Sequence, residues 1–159
     1  MSDTGVVSVY QQPTQYFLYP SHRTRDGIWR AAGPTLAFPL DAPDTKLGET
    51  VLYLLTECRL EVAPPATPDR PRHEVLALLK PARIQSWMAL QRKAKLVSVK
   101  TTANELRVEP TRNGGNRGPD AGFHFLLDQA ERFDRHPSPE LLGAAVRRAF
   151  ITSTRPPAA

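Results

Sequence analysis

The chain has 159 residues, a hydrophobic fraction of 40%, a charged fraction of 23% and a formal net charge of +5 at pH 7. That length suits one domain with a core of its own, and the ordinary balance of apolar and charged residues excludes general disorder. The single cysteine, Cys58, excludes an internal disulfide and a thiolate cluster for a structural metal. The basic balance admits a polyanionic partner without requiring one. No run reaches the ~20 apolar residues of a membrane span, and the start MSDTGVVSVY has no basic segment leading into an apolar one. A cytoplasmic, reducing location is expected.

The first forty residues read as strands and turns. Val6 to Tyr10 and Tyr16 to Tyr19 are rich in β-branched and aromatic side chains. Asp26-Gly27 is a turn dipeptide before Ile28 and Trp29, which makes 16 to 31 a hairpin. Leu36 to Leu40 is a further strand, confined to an edge by Pro34 and Pro39. A helix over 45 to 62 follows, capped by Asp44 or Thr45, with Leu47, Val51, Leu54, Leu55, Cys58 and Val62 on its buried face. Cys58 is therefore expected to be a small core residue. On the opposite side Glu49, Tyr53 and Glu57 recur at i+4 steps as one exposed stripe, either a solvated face or an aromatic anchor between two carboxylates for a protein partner.

The proline-rich stretch APPATPDRPR, residues 63 to 72, cannot continue a helix and reads as a surface loop. Glu74 to Leu79 is a short helix stopped by Lys80-Pro81. Ser86 caps another that runs through Trp87, Leu90, Gln91 and Ala94 and turns Arg92, Lys93 and Lys95 to solvent. Val97 to Thr101 and Leu106 to Val108 flank Ala103-Asn104 as a hairpin, and Phe123 to Leu126 is a last strand. Ser138, Pro139 and Glu140 start a closing helix whose apolar face is Leu141, Leu142, Ala145, Val146, Ala149 and Phe150. The residues from 152 onward read as a frayed tail.

Between the hairpin and the last strand lies EPTRNGGNRG, residues 109 to 118. It fails as a P-loop, because no lysine with a serine or threonine follows its last glycine, and as a dinucleotide fingerprint, because no helix follows. It is expected to be a strand-ending turn in which the glycines and Asn113 supply unusual backbone geometry and Arg112 presents a fork of donors. Arg112 and Asn113 are contact candidates. Charge is segregated around this turn: residues 80 to 117 carry nine basic and two acidic side chains, whereas Asp128, Glu131 and Asp134 give the following segment an acidic cast.

Catalytic chemistry finds little support. The four histidines form no i, i+4 pair and have no cysteine partners, so neither a metal nor another cofactor is expected. No serine sits in a GxSxG elbow. His124 with Arg112 is the best enzymatic pairing the chain offers. Arg92, Lys93, Lys95, Lys100, Arg107, Arg112 and Arg117 could instead contact nucleic acid, although no known motif and no interleaved aromatic platform accompanies them.

Several segments taken in order resemble the DUF1436 family, which is linked to immunity proteins of bacterial contact-dependent growth inhibition systems: DGIW at 26 to 29, LGETVLYLLTECR at 47 to 59, SWMALQRKAKLVSV at 86 to 99, PTRNGG at 110 to 115, and the helix start at Pro139 to Gly143. The resemblance spans roughly residues 16 to 151, and PTRNGG preceded by the Ser-Trp helix is its most specific part. The segment NRGPDAG after the double glycine departs from it as an insertion. The resemblance implies a non-enzymatic cytoplasmic antidote that binds the carboxy-terminal toxin domain of a large secreted effector, often a nuclease, and covers its active site. Such a partner points to Glu49, Tyr53, Glu57, Arg112, Asn113, Asp128 and Glu131 as contact residues. The alternative is a small basic nucleic-acid-binding protein.

The expected architecture is a single α+β domain over 1 to 159, with its core in about 6 to 151. It comprises a mainly antiparallel sheet of five or six strands with three packed helices.

Overall fold

The computed structural model describes residues 4–63 and 72–156. Strand β1 (Gly5–Gln11) turns back into β2 (Gln15–Arg23), and on its other side pairs with β5 (Lys95–Thr101), which pairs with β6 (Leu106–Asn113). Two short strands share each outer edge. β3 (Trp29–Ala31) and β4 (Leu36–Pro39) both pair with β2, while β7 (Phe123–Phe125) and β8 (Glu131–Phe133) both pair with β6. Every one of these pairings is antiparallel, so the chain is the α+β domain expected, with eight strands among the described residues.

The register explains why both faces are covered. Val7 lies opposite Val99 and Val9 opposite Val97, while Val99 also faces Val108. These β-branched rows make one apolar face. Helices α1 (Asp44–Thr56) and α4 (Pro139–Thr152) cover it with Leu47, Val51, Leu54, Leu142, Val146 and Phe150. The alternate residues Tyr10, Phe17, Tyr19 and Leu96 form a second core under α2 (Arg72–Leu79), a 3-10 turn at Lys80–Ala82, and α3 (Trp87–Lys93). Helices therefore lie on both sides of the sheet.

The two helices on the first face touch backbone to backbone. A Cβ on Gly48 would overlap the carbonyl of Pro139, and one on Gly143 would overlap the carbonyl of Asp44. Arg147 locks the same junction: it donates to the Tyr16 hydroxyl and the Leu40 carbonyl, both at 3.2 Å, bonds the Ala42 carbonyl, and pairs with Asp44.

Several local expectations are corrected. α1 stops at Thr56, so Val62 lies outside it and instead bridges Thr24. Its N-cap is Pro43, with no side-chain cap; Asp44 is the first residue of the helix. Leu141 is 58% exposed rather than part of the α4 core face. β8, a three-residue strand that carries Arg132 at its centre, has too short an apolar pattern to be read from sequence. Ser153 and Thr154, expected in the tail, are bonded to the sheet. The Ser153 hydroxyl accepts from Thr111 N–H and donates to Leu96 O, and Thr154 bridges Arg112. The expected loop at 63 to 72 lies mostly outside the described residues. Helix α2, expected as a short helix over Glu74 to Leu79, begins at Arg72 and joins the three packed helices as a fourth among the described residues.

Candidate functional site

The stretch at 109 to 118 proves to be two things. Strand β6 runs on through Asn113, and its alternation turns Arg112 to solvent while Thr111 and Asn113 point inward. Asn113, 1% exposed, donates to Gln91 O at 2.7 Å and Ala94 O at 2.8 Å and accepts from Gly115 N–H at 2.8 Å. Its amide fixes the end of α3 to the start of the loop, so this contact candidate has no polar group left for a partner. Beyond it the loop closes on itself. Gly114 N–H bonds Gly122 O and Gly122 N–H bonds Gly115 O, both at 2.8 Å, and a Cβ on Gly114 would overlap the Asp120 carbonyl. With these N–H groups spent internally, the loop does not cradle a phosphate. The His124 ring lies 2.9 Å from Asp120 O, on the strand position paired with Arg112.

The acidic candidates fall on separate elements. Glu49 and Tyr53 are exposed on the outer side of α1, Tyr53 by 45%, and Glu57 is half-buried at the C-cap. Asp128 is exposed in the 3-10 turn Leu127–Gln129, next to Phe125 and Leu127, each 52% exposed. This mixture of apolar and acidic groups along the β7 to β8 edge was not visible in the sequence, because it depends on which side of the edge each residue faces. Glu131 is already engaged: Arg148 donates to its two oxygens at 2.6 and 2.9 Å. Those hydrogen bonds hold the Glu131 carboxyl below the usual range and raise Arg148.

A group whose folded pKa is depressed stabilises the fold above its unfolded pKa, near 4.3 for glutamate, and loses that contribution as pH falls through the folded value. Both side chains are well exposed to solvent, so Glu131→Gln is expected to cost under about 1 kcal/mol at neutral pH. The difference from wild type in urea denaturation should shrink toward pH 3. A difference that persisted there would assign it to packing.

A cleft lies where β1 turns into β2. Gln12, Pro13, Thr14 and Gln15 form one wall of an open cleft of about 530 Å³, and Ala82 to Gln85 with Ala89, Arg92 and Lys93 form the other. Gln15 ties the walls together through its Nε2, which donates to Gln12 Oε1 and to Ala82 O, both at 2.8 Å. Ser86 caps α3 by accepting from Ala89 N–H, which fixes the helix that carries Arg92 and Lys93. More cations gather nearby: Arg155 donates to Lys93 O at 3.3 Å and Lys95 to Phe150 O at 2.8 Å, so each meets the last carbonyls of a helix. Burial, and then the charge of Arg155, push the Lys95 ammonium down. The sequence marked Arg92 and Lys93 as basic, but Arg83 and the facing glutamines carried no signal without the fold.

Nucleophilic chemistry is not prepared here. Burial raises the Cys58 thiol, whose sulfur sits 3.4 Å from Val6 O inside the first core as expected. Burial likewise raises Tyr10 and Tyr19, whose hydroxyls meet at 2.9 Å in the second. Among the described residues no group of three or more His, Cys, Asp or Glu could hold a metal ion, and no helix is long and apolar enough to cross a membrane.

No family model matches the chain, and no curated protein does. Solved structures do match. A protein of unknown function from Neisseria meningitidis is similar with 17% identity and a TM-score of 0.68, over 97% of this chain and 98% of that one. A chain of the CdiA-CT/CdiI toxin and immunity complex from Yersinia pseudotuberculosis is similar with 17% identity and a TM-score of 0.71, over 95% of this chain and 98% of that one. At that identity the likeness establishes a shared fold, carried end to end by this sheet and its helices.

Proposed function

We propose that this protein is an immunity protein that binds the carboxy-terminal toxin domain of a contact-dependent growth inhibition effector in the cytoplasm and blocks it by covering its active site. The observation that carries this reading is the likeness, over nearly the full length of both chains, to a chain of a toxin and immunity complex. The segments SWMALQRKAKLVSV and PTRNGG, which resemble the DUF1436 family, are matched by no family model, so the reading rests on the fold.

Neutralisation by occlusion requires a tight stoichiometric complex, on the order of nanomolar or better, or about −12 kcal/mol. Calorimetry with the cognate toxin domain is the direct test, and micromolar affinity would sink the occlusion mechanism. Where the toxin is a nuclease, its substrate cleft is basic, so an acidic face of the antidote should meet it. Charge reversal at Glu49 with Glu57, or at Asp128 with Glu131, is then expected to weaken the complex by about tenfold or more. If neither pair changes the affinity or the on-rate, the nuclease part of the reading fails.

A further inference from the structure

We infer that the cleft between the β1 to β2 turn and α3 seats an acidic segment of a protein partner, and that Arg83 is kept at its rim for binding at the expense of stability. That the partner is a toxin domain rests on the immunity reading; the acidic chemistry does not.

The argument begins with backbone geometry. Arg83 has φ +56 and ψ +34, in the left-handed region. Its N–H bonds Lys80 O at 3.0 Å, and the next N–H, that of Ile84, bonds Leu79 O at 3.3 Å. This pair of bonds is the Schellman closure of the α2 and 3-10 segment, and Arg83 occupies the position at which glycine is the customary residue. A side chain there crowds its own backbone and makes the closure less stable than glycine would. An arginine in that position is explained by what its guanidinium meets outside the backbone.

That surrounding is a built recess. Arg83, Arg92 and Lys93 line it together with the amides of Gln12, Gln15 and Gln85, and no carboxylate lines it. None of the three cations forms an ion pair within the described residues. Carboxylates accept paired bonds from arginine forks, and glutamine amides can supply further donors and acceptors to a peptide backbone. Nucleic acid fits less well: no aromatic side chain lines the recess for a base to stack on, and three cations gathered in one short cleft do not form a track along a phosphate backbone.

The test uses the full chain and three probes: an oligoglutamate peptide, a single-stranded oligonucleotide of equal charge, and the toxin domain captured as its partner. Amide NMR should show the peptide shifting Gln15, Arg83, Gln85 and Arg92. The variant carrying Arg83→Gly, Arg92→Gln and Lys93→Gln should bind the peptide and the toxin domain about tenfold more weakly or worse. Arg83→Gly alone should raise the melting temperature, by about 2–4 °C, while weakening binding. Peptide shifts elsewhere, equal binding by the triple variant, or tighter seating of the oligonucleotide would overturn the assignment. A melting temperature lowered by Arg83→Gly would overturn the trade-off. Peptide binding in the cleft without capture of any toxin domain would leave the acidic site standing and count against the immunity reading alone.

Discussion

Gly48→Ala is expected to destabilise the protein by about 3 kcal/mol, and Gly143→Ala by a similar amount. In an exposed helix the same exchange stabilises by about 1 kcal/mol, because alanine has the higher helix propensity. The sign reverses here because each added Cβ would overlap a main-chain carbonyl of the other helix, Pro139 for Gly48 and Asp44 for Gly143. A backbone carbonyl cannot rotate aside as a side chain can, so α1 and α4 must separate along the contact that joins Leu47, Val51, Leu142 and Val146 in one core. Separation also pulls Arg147 from the Leu40 and Ala42 carbonyls that fix the entry into α1. For a chain of this size the loss corresponds to a melting temperature lower by roughly 6–12 °C. Glu49→Ala, on the exposed side of the same helix, is the control and should leave stability nearly unchanged. Because both glycines serve one crossing, the double variant should lose less than the sum of the single losses. Full additivity, or a neutral Gly48→Ala, would show that the helices do not meet this closely in solution.

These glycines also show where sequence reasoning reaches its limit. Periodicity located α1 and α4 because their apolar spacing repeats over three turns or more, and Ser86 and Ser138 announced their helices because capping is a local interaction. The hairpins were legible for the same reason. Gly48 and Gly143 lie inside helices with nothing nearby in sequence to say that another backbone passes over them, since each is explained by a residue more than ninety positions away. Of the short strands, β3 and β7 were legible from the Asp26-Gly27 turn and the Phe123 to Leu126 run, whereas β8 depends on pairing with β6, and three residues carry too little pattern to predict that. The contact candidates divide in the same way. Glu49 and Tyr53 face solvent as the spacing of α1 implied, whereas Arg112, read as a turn residue, faces solvent from within β6. Arg83 was passed over because its significance lies in a left-handed backbone angle. Asn113 was read as a turn residue because its two carbonyl partners, at Gln91 and Ala94, belong to a different element.

Asn113→Asp is expected to be among the most damaging single-atom changes in this chain, at about 3–5 kcal/mol near neutral pH. The side chain keeps its shape, but the donating nitrogen becomes a charged oxygen facing the carbonyls of Gln91 and Ala94, at a site 1% exposed. Two hydrogen bonds are lost and an unpaired charge is buried. Desolvation and the carbonyl dipoles both disfavour the ionised form, so the new carboxyl should titrate in the folded state well above the ordinary aspartate value near 3.9. The folded state then holds the proton more tightly than the unfolded one. The deficit relative to wild type should be smallest below about pH 4, where a protonated carboxyl can still donate one bond. It should grow as pH rises from there and level off above the folded pKa. Asn113→Ala removes the same bonds without a charge and should cost about 2–3 kcal/mol at every pH. The effect also reaches the proposed cleft, since Gln91 and Ala94 bracket Arg92 and Lys93 on the last turn of α3. Both variants should therefore weaken binding of an acidic peptide even at temperatures where they remain folded. A deficit of Asn113→Asp that did not change with pH would mean that this side chain is solvated, and that α3 is held to the loop by something other than its amide.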